Sequence, residues 1–182
     1  MASAYQFIEP GAGFPGISAT GTFNTSGLSN QMPLAPGLVA GARDPTYGYG
    51  EFMFVQGPAA GTCGAGDAVL IIGTQVQQLV SGSTASQGAI GILPGALTAS
   101  NVYGWAQIYG VCDYANLGTQ GTGAVGAPLF VGTTAGRLQT TAGATGYIIN
   151  CLKVSQYTTT ANSNSGIVFM YWPVFDGNRT AG

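Results

Sequence analysis

From Tyr47 onward the chain repeats one pattern, in which short apolar or alternating runs are separated by Gly, Thr and Ser. Glu51-Phe52-Met53-Phe54-Val55-Gln56 is the first such run. Asp67-Ala68-Val69-Leu70-Ile71-Ile72 is apolar on both faces, which predicts a central strand. Thr74-Gln75-Val76-Gln77-Gln78-Leu79-Val80 follows Gly73, and Ala89-Ile90-Gly91-Ile92-Leu93 comes next. Trp105-Ala106-Gln107-Ile108-Tyr109-Gly110-Val111-Cys112 reads as a long strand, with Trp105, Tyr109 and Val111 at odd positions and Ala106, Ile108 and Cys112 at even ones. Pro128-Leu129-Phe130-Val131 and Gly136-Arg137-Leu138-Gln139 are spaced for a hairpin across Gly132-Thr133-Thr134-Ala135. Residues 147–154 and Ile167-Val168-Phe169-Met170-Tyr171-Trp172 close the series. About eight or nine short strands at such intervals predict an all-β fold, a small β-barrel or β-sandwich. No segment sustains the helical period, and Pro94-Gly95-Ala96-Leu97-Thr98-Ala99-Ser100 is the one place where a short, marginal helix fits.

Residues 1–45 look different, and predict an extended N-terminal arm on a body spanning 46–182. Phe14-Pro15-Gly16 and Met32-Pro33-Leu34-Ala35-Pro36-Gly37 interrupt regular sheet, because proline fixes φ and removes an amide donor. Phe7, Ile8, Phe14, Ile17, Phe23, Leu28 and Leu34 make the segment too apolar for a disordered tail. Such an arm needs a surface to lie on, either its own body or a neighbouring subunit. Phe7, Ile8, Phe14, Phe23, Met32 and Leu34 are the anchor candidates, since large apolar side chains dominate such contacts. The body is expected to fold without the arm.

Composition sharpens the picture. Charged residues make up 5% of the 182-residue chain, against about 25% in a typical soluble protein. The surface is therefore mostly Thr, Ser, Asn, Gln, Gly and Ala, which loses water cheaply because few ions must be desolvated. Much of that surface is expected to be covered by other protein; a neutral, Thr-rich exported β-domain is the plainer alternative. The 4 basic residues are scattered, so no patch can neutralise a phosphate backbone, and nucleic-acid binding is not expected. No apolar run approaches the roughly 18 residues of a transmembrane helix. The first ten residues lack the basic flank and apolar stretch of a secretory leader, which predicts use without export. Cys63, Cys112 and Cys151 are isolated; Cys112 and Cys151 fall within apolar strand runs, where free cysteine acts as a small hydrophobe.

Candidate chemistry is sparse. Histidine is absent, so no Ser-His-Asp or Cys-His arrangement exists, and neither catalytic residues nor a cofactor is predicted. Asp113 and Asp176 follow apolar strands and form a conceivable carboxylate pair at one end of a barrel, but strand-end aspartates ordinarily bond the local backbone in turns. A calcium site from Asp67, Asp113 or Asp176 lacks the dense D-x-[DN] spacing, so no metal is expected. Gly121-Thr122-Gly123-Ala124-Val125-Gly126 matches G-x-G-x-x-G, but a strand-like run follows where a dinucleotide site needs a helix. Tyr47, Tyr49, Tyr103, Trp105, Tyr109, Tyr114, Tyr171 and Trp172 suit a β core, a subunit interface or stacking on sugar rings, and the pattern does not separate these.

Several local patterns resemble the small head-decoration, or cement, proteins of tailed bacteriophages. They are Gly50-Glu51-Phe52-Met53-Phe54-Val55-Gln56-Gly57, Gly66-Asp67-Ala68-Val69, Ile90-Gly91-Ile92, Gly104-Trp105-Ala106-Gln107-Ile108-Tyr109-Gly110, and Gly126-Ala127-Pro128-Leu129-Phe130 leading into Thr134-Ala135-Gly136-Arg137-Leu138. The similarity covers residues 47–175 and rests on structural glycines and strand residues; residues 1–45 have no counterpart. The resemblance implies a non-enzymatic virion protein, assembled in the host cytoplasm, that binds the outer capsid surface as a homotrimer and braces the major capsid protein. The alternatives are another virion part (a fibre, a spike or a jelly-roll capsid subunit) and a carbohydrate-binding β-sandwich.

Overall fold

A computed structural model describes residues 5–8, 16–18, 20–22, 35–80, 88–118, 124–140, 148–156 and 165–175. Among these the fold is all-β, with no helix. The twelve strands are β1 (Gln6–Phe7), β2 (Gly21–Thr22), β3 (Val39–Asp44), β4 (Gly48–Gln56), β5 (Ala68–Ile72), β6 (Gln75–Gln78), β7 (Gly88–Ile92), β8 (Val102–Asn116), β9 (Pro128–Val131), β10 (Leu138–Gln139), β11 (Ile148–Gln156) and β12 (Ser165–Phe175). Each apolar run from Glu51 onward coincides with a strand. The Pro94 to Ser100 stretch is not helical; Leu97 there forms a bridge to Cys63 and is fully buried.

The pairings return on themselves. β8 pairs antiparallel with β4 through Tyr109 and with β12 from Tyr109 onward. β12 meets β7, β7 pairs with β5, β5 with β6, and β6 touches β4 through one parallel pair, Gln56 with Gln75. On the far side of β12, strands β11, β9 and β10 extend the sheet in that order.

β8 contributes to all three apolar clusters. Trp105 packs with Tyr5, Ile17, Ala42, Phe52 and Phe54. Val102, Ala106 and Ile108 join Val55, Val69, Ile71 and Val76. Cys112, Tyr114 and Ala115 join residues of β5, β7, β9, β11 and β12. Its first half is therefore buried on both faces.

Serving different partners requires β8 to break step. Glu51 lies opposite Tyr109 while Phe52 lies opposite Gln107, so Ile108 is an extra residue, a bulge. The alternation expected along this strand fails there: Trp105 points to the first cluster, while Tyr109 takes the face carrying Glu51. Gly110 follows with φ 96°. A Cβ at Gly110 would lie 2.5 Å from the Tyr49 carbonyl oxygen and 3.0 Å from the Gly50 Cα. At the kink the Gln107 side-chain amide donates to the carbonyls of Tyr109 and Val111, at 3.2 and 3.0 Å. Gln107 in turn accepts from the Tyr114 hydroxyl at 2.7 Å, and Tyr5 donates to the Val111 carbonyl at 2.7 Å. Among the described residues no buried side-chain nitrogen or oxygen lacks a partner.

The predicted division at residue 45 is displaced by the structure. Residues 39–44, placed in the arm because of the prolines before them, form β3 and pair with β4 from Val39 opposite Met53 to Asp44 opposite Gly48. β1 then pairs with β3, β2 with the start of β8, and Tyr5 and Ile17 are buried in the Trp105 cluster. Deleting 1–45 therefore strips one face of Phe52, Phe54 and Trp105. The small residues Ala40, Gly41 and Ala42 hid this strand from a search for bulky alternation.

The kink yields a stability prediction. Gly110→Ala is expected to cost about 2 kcal/mol or more, because unfavourable φ and backbone collision add. Gly48→Ala, at φ 81° with open space around it, is expected to cost only about 1 kcal/mol. Chemical denaturation of both variants checks the order; equal losses contradict the collision.

Candidate interaction surface

Beyond the kink, β4, β8 and β12 share one outward face. In register across it run Gly41, Glu51, Tyr109 and Tyr171, with Val111, Phe169, Lys153 and Pro128 forming the next row. The strands cause this placement through their irregularities. Trp172 sits at φ 42° and the burial alternation of β12 slips there, so Tyr171 and Trp172 both face outward, where strict alternation would bury one of them. Across from it β11 is irregular between Asn150 and Leu152, with Cys151 at φ 62°.

The result is a contiguous aromatic surface. Tyr49 is 46% exposed, Phe169 39%, Tyr171 52% and Trp172 45%. Half-buried Tyr109 is its centre, with ring centroids 4.7 Å from Trp172, 5.6 Å from Tyr171, 6.0 Å from Tyr49 and 6.3 Å from Phe169. Val174 continues the patch along β12. Glu51 is set into it: one carboxylate oxygen accepts from the Trp172 indole Nε1 at 2.8 Å and the other from the Tyr49 hydroxyl at 3.2 Å. Burial first, then the Glu51 charge, pushes the Tyr49 hydroxyl up, so it remains a donor. These rings are held by paired strands, and they keep little freedom to fold away from water.

The anchor candidates of the N-terminal segment lie elsewhere. Phe7 is half-buried against the body's own core, its ring 4.7 Å from Trp105 and 6.3 Å from Phe52. Ile8 is exposed and lines an open groove of about 330 Å³ with Gln6, Phe7, Arg43 and Pro45. Phe14, Phe23, Met32 and Leu34 lie outside the described residues. Of the aromatics singled out in the sequence, Trp105 and Tyr114 are core, Tyr47 and Tyr103 pack at the edge of the first cluster, and Tyr49, Tyr109, Tyr171 and Trp172 form the outer surface. Phe169 belongs to that surface too, and only an exposure pattern, invisible in an apolar run, distinguishes it.

Asp67 and Asp44 serve turns, whereas Asp113 lies within β8 and does not follow it. Asp67 accepts from the Gly64 amide at 2.7 Å, Gln78 Nε2 at 2.8 Å and Asn116 Nδ2 at 2.9 Å, pinning three segments. Asp44 accepts from the amides of Thr46 and Tyr47. Burial, then Asp44, pushes the Asp113 carboxyl up; Asp176 lies outside the described residues. Among the described residues no three of His, Cys, Asp and Glu come together to hold a metal ion, and no helix is long and apolar enough to cross a membrane. After Gly126 the chain enters β9. No family model, curated protein or solved structure matches the chain.

Cysteine placement departs from expectation at one position. Cys63 and Cys112 are buried free thiols, but Cys151 is exposed, turned outward by the irregularity in β11. Burial, then Asp67, pushes the Cys63 thiol up to about 12, and burial raises Cys112 further. In the native protein a maleimide reagent is expected to modify Cys151 alone, with the other two reacting at least about a hundredfold more slowly until the chain unfolds. Peptide mapping checks this; uniform labelling of all three contradicts the placement.

Proposed function

We propose that this chain is a non-enzymatic structural protein of a virion: a decoration protein that binds the outer face of a phage head as a homotrimer and braces the contacts of the major capsid protein. The observation carrying this reading is the outer face. Tyr49, Phe169, Tyr171 and Trp172 hold ring surface side by side on paired strands, in a chain with only 5% charged residues. Aromatic residues of this kind centre protein contacts. A freely diffusing protein normally blunts such patches with charge, and little is available here.

Covering the face releases water from apolar rings while few ions are desolvated. A shell repeats one contact many times over, so each copy needs only modest affinity to reinforce the lattice. The resemblance of residues 47–175 to cement proteins points the same way and supplies the trimer and the capsid as partners.

The test adds the purified chain to shells that lack it, then measures their heat resistance. Binding with a gain in shell stability is expected, together with a trimer mass in sedimentation. Trp172→Ala and Tyr171→Ser are each expected to weaken shell binding by about 2 kcal/mol while leaving the β fold intact. A monomer that leaves shell stability unchanged contradicts the proposal.

A further inference from the structure

We infer that the corner of the face where Glu51, Tyr49 and Trp172 meet receives an arginine side chain of the protein docked against it; this rests on the docking reading above. That corner carries an unbalanced charge. Both hydrogen bonds to Glu51 come from neutral donors, the Trp172 indole and the Tyr49 hydroxyl, and among the described residues no cation pairs with it. In β3 the residue opposite Glu51 is Gly41, which has no side chain; Arg43 stands opposite Tyr49 instead. Lys153 lies in the neighbouring row, opposite Phe169.

In water this carboxylate is stable as it stands. Covered by an apolar or neutral partner, it becomes a buried charge without a counter-ion, which is strongly unfavourable. Docking on this face therefore selects a partner that brings a positive charge to Glu51. The geometry around the carboxylate further favours guanidinium over ammonium. Each carboxylate oxygen has already accepted one bond and keeps a free lone pair, matching the two parallel N–H groups of a guanidinium. The indole is pinned by its edge to Glu51 and packs over Tyr109, yet remains 45% exposed, and Tyr171 lies 4.9 Å away. A planar, weakly hydrated cation stacks on such rings, whereas a lysine ammonium holds its water more tightly. Sugar hydroxyls also stack and hydrogen-bond here, but they leave the charge of Glu51 unanswered.

The test uses the full chain, isotope-labelled, with the indole N–H resonance of Trp172 as reporter and that of buried Trp105 as internal control. N-acetyl-arginine amide is titrated against N-acetyl-lysine amide, the neutral isostere N-acetyl-citrulline amide and methyl hexosides. A saturable shift of Trp172 with the arginine amide is expected, weaker with lysine and absent with citrulline and the hexosides. Glu51→Gln, which keeps an acceptor for the indole, is expected to weaken the arginine amide about tenfold or more. An equal response to citrulline, a response to hexosides in place of arginine, or unchanged binding by Glu51→Gln overturns the inference. Shell binding that survives Glu51→Gln without any arginine response removes this inference and leaves the decoration reading; an arginine response in a chain that leaves shells unstabilised does the reverse.

Discussion

The structure depends on one kink in one strand. β8 pairs with β4 up to Tyr109 and with β12 from Tyr109 onward, and Gly110 at φ 96° marks the change of partner. A carbonyl left without a donor away from water costs about 1–3 kcal/mol, and beside the kink Gln107 donates to those of Tyr109 and Val111 while it is itself held by Tyr114. Tyr5, from the start of the chain, adds a second donor to Val111. A short polar network inside an apolar body thus ties the N-terminal segment, the central strand and the third cluster together. The bulge at Ile108 beside it decides which face Tyr109 occupies, and with it where the outer aromatic surface has its centre.

That surface is a second consequence of the same kind. The shift at Tyr171 and Trp172 places two large rings outward in succession, against the preference for burying them. Exposed ring area on a chain with few ions offers neither stability nor solubility when the molecule is alone. Both features become favourable once another protein covers the face, and the carboxylate at its corner then sets a condition on what that protein must present. The irregularity of β8, the slip at Trp172 and the uncompensated charge of Glu51 all bear on the one face for which docking is proposed.

The strands from Glu51 onward were legible because local pattern and burial agree: the run from Ala68 to Ile71 is apolar on both sides and is buried on both sides. What escaped the pattern has physical causes. A bulge changes which side chains face outward without altering composition, so Tyr109 and Cys151 read as their neighbours do. The middle of β3 is Ala40, Gly41 and Ala42, whose small side chains leave room for Tyr49 and Phe7 and give no strand signal of their own. Phe7 looked like an anchor for a neighbour because aromatic content marks a contact without naming the partner, and here the partner is Trp105 of the same chain. The network around Gln107 gathers residues of β8 that strict alternation would not bring together, and it adds Tyr5 from 106 positions away, which no spacing rule reveals.

The central claim is that another protein chain covers the ring surface of β4, β8 and β12 in the assembled particle. An electron cryo-microscopy map of the native particle at side-chain resolution measures that directly. The account predicts density from a neighbouring chain against Phe169, Tyr171 and Trp172. A map in which those rings face open solvent, with contacts made elsewhere on the molecule, would contradict it.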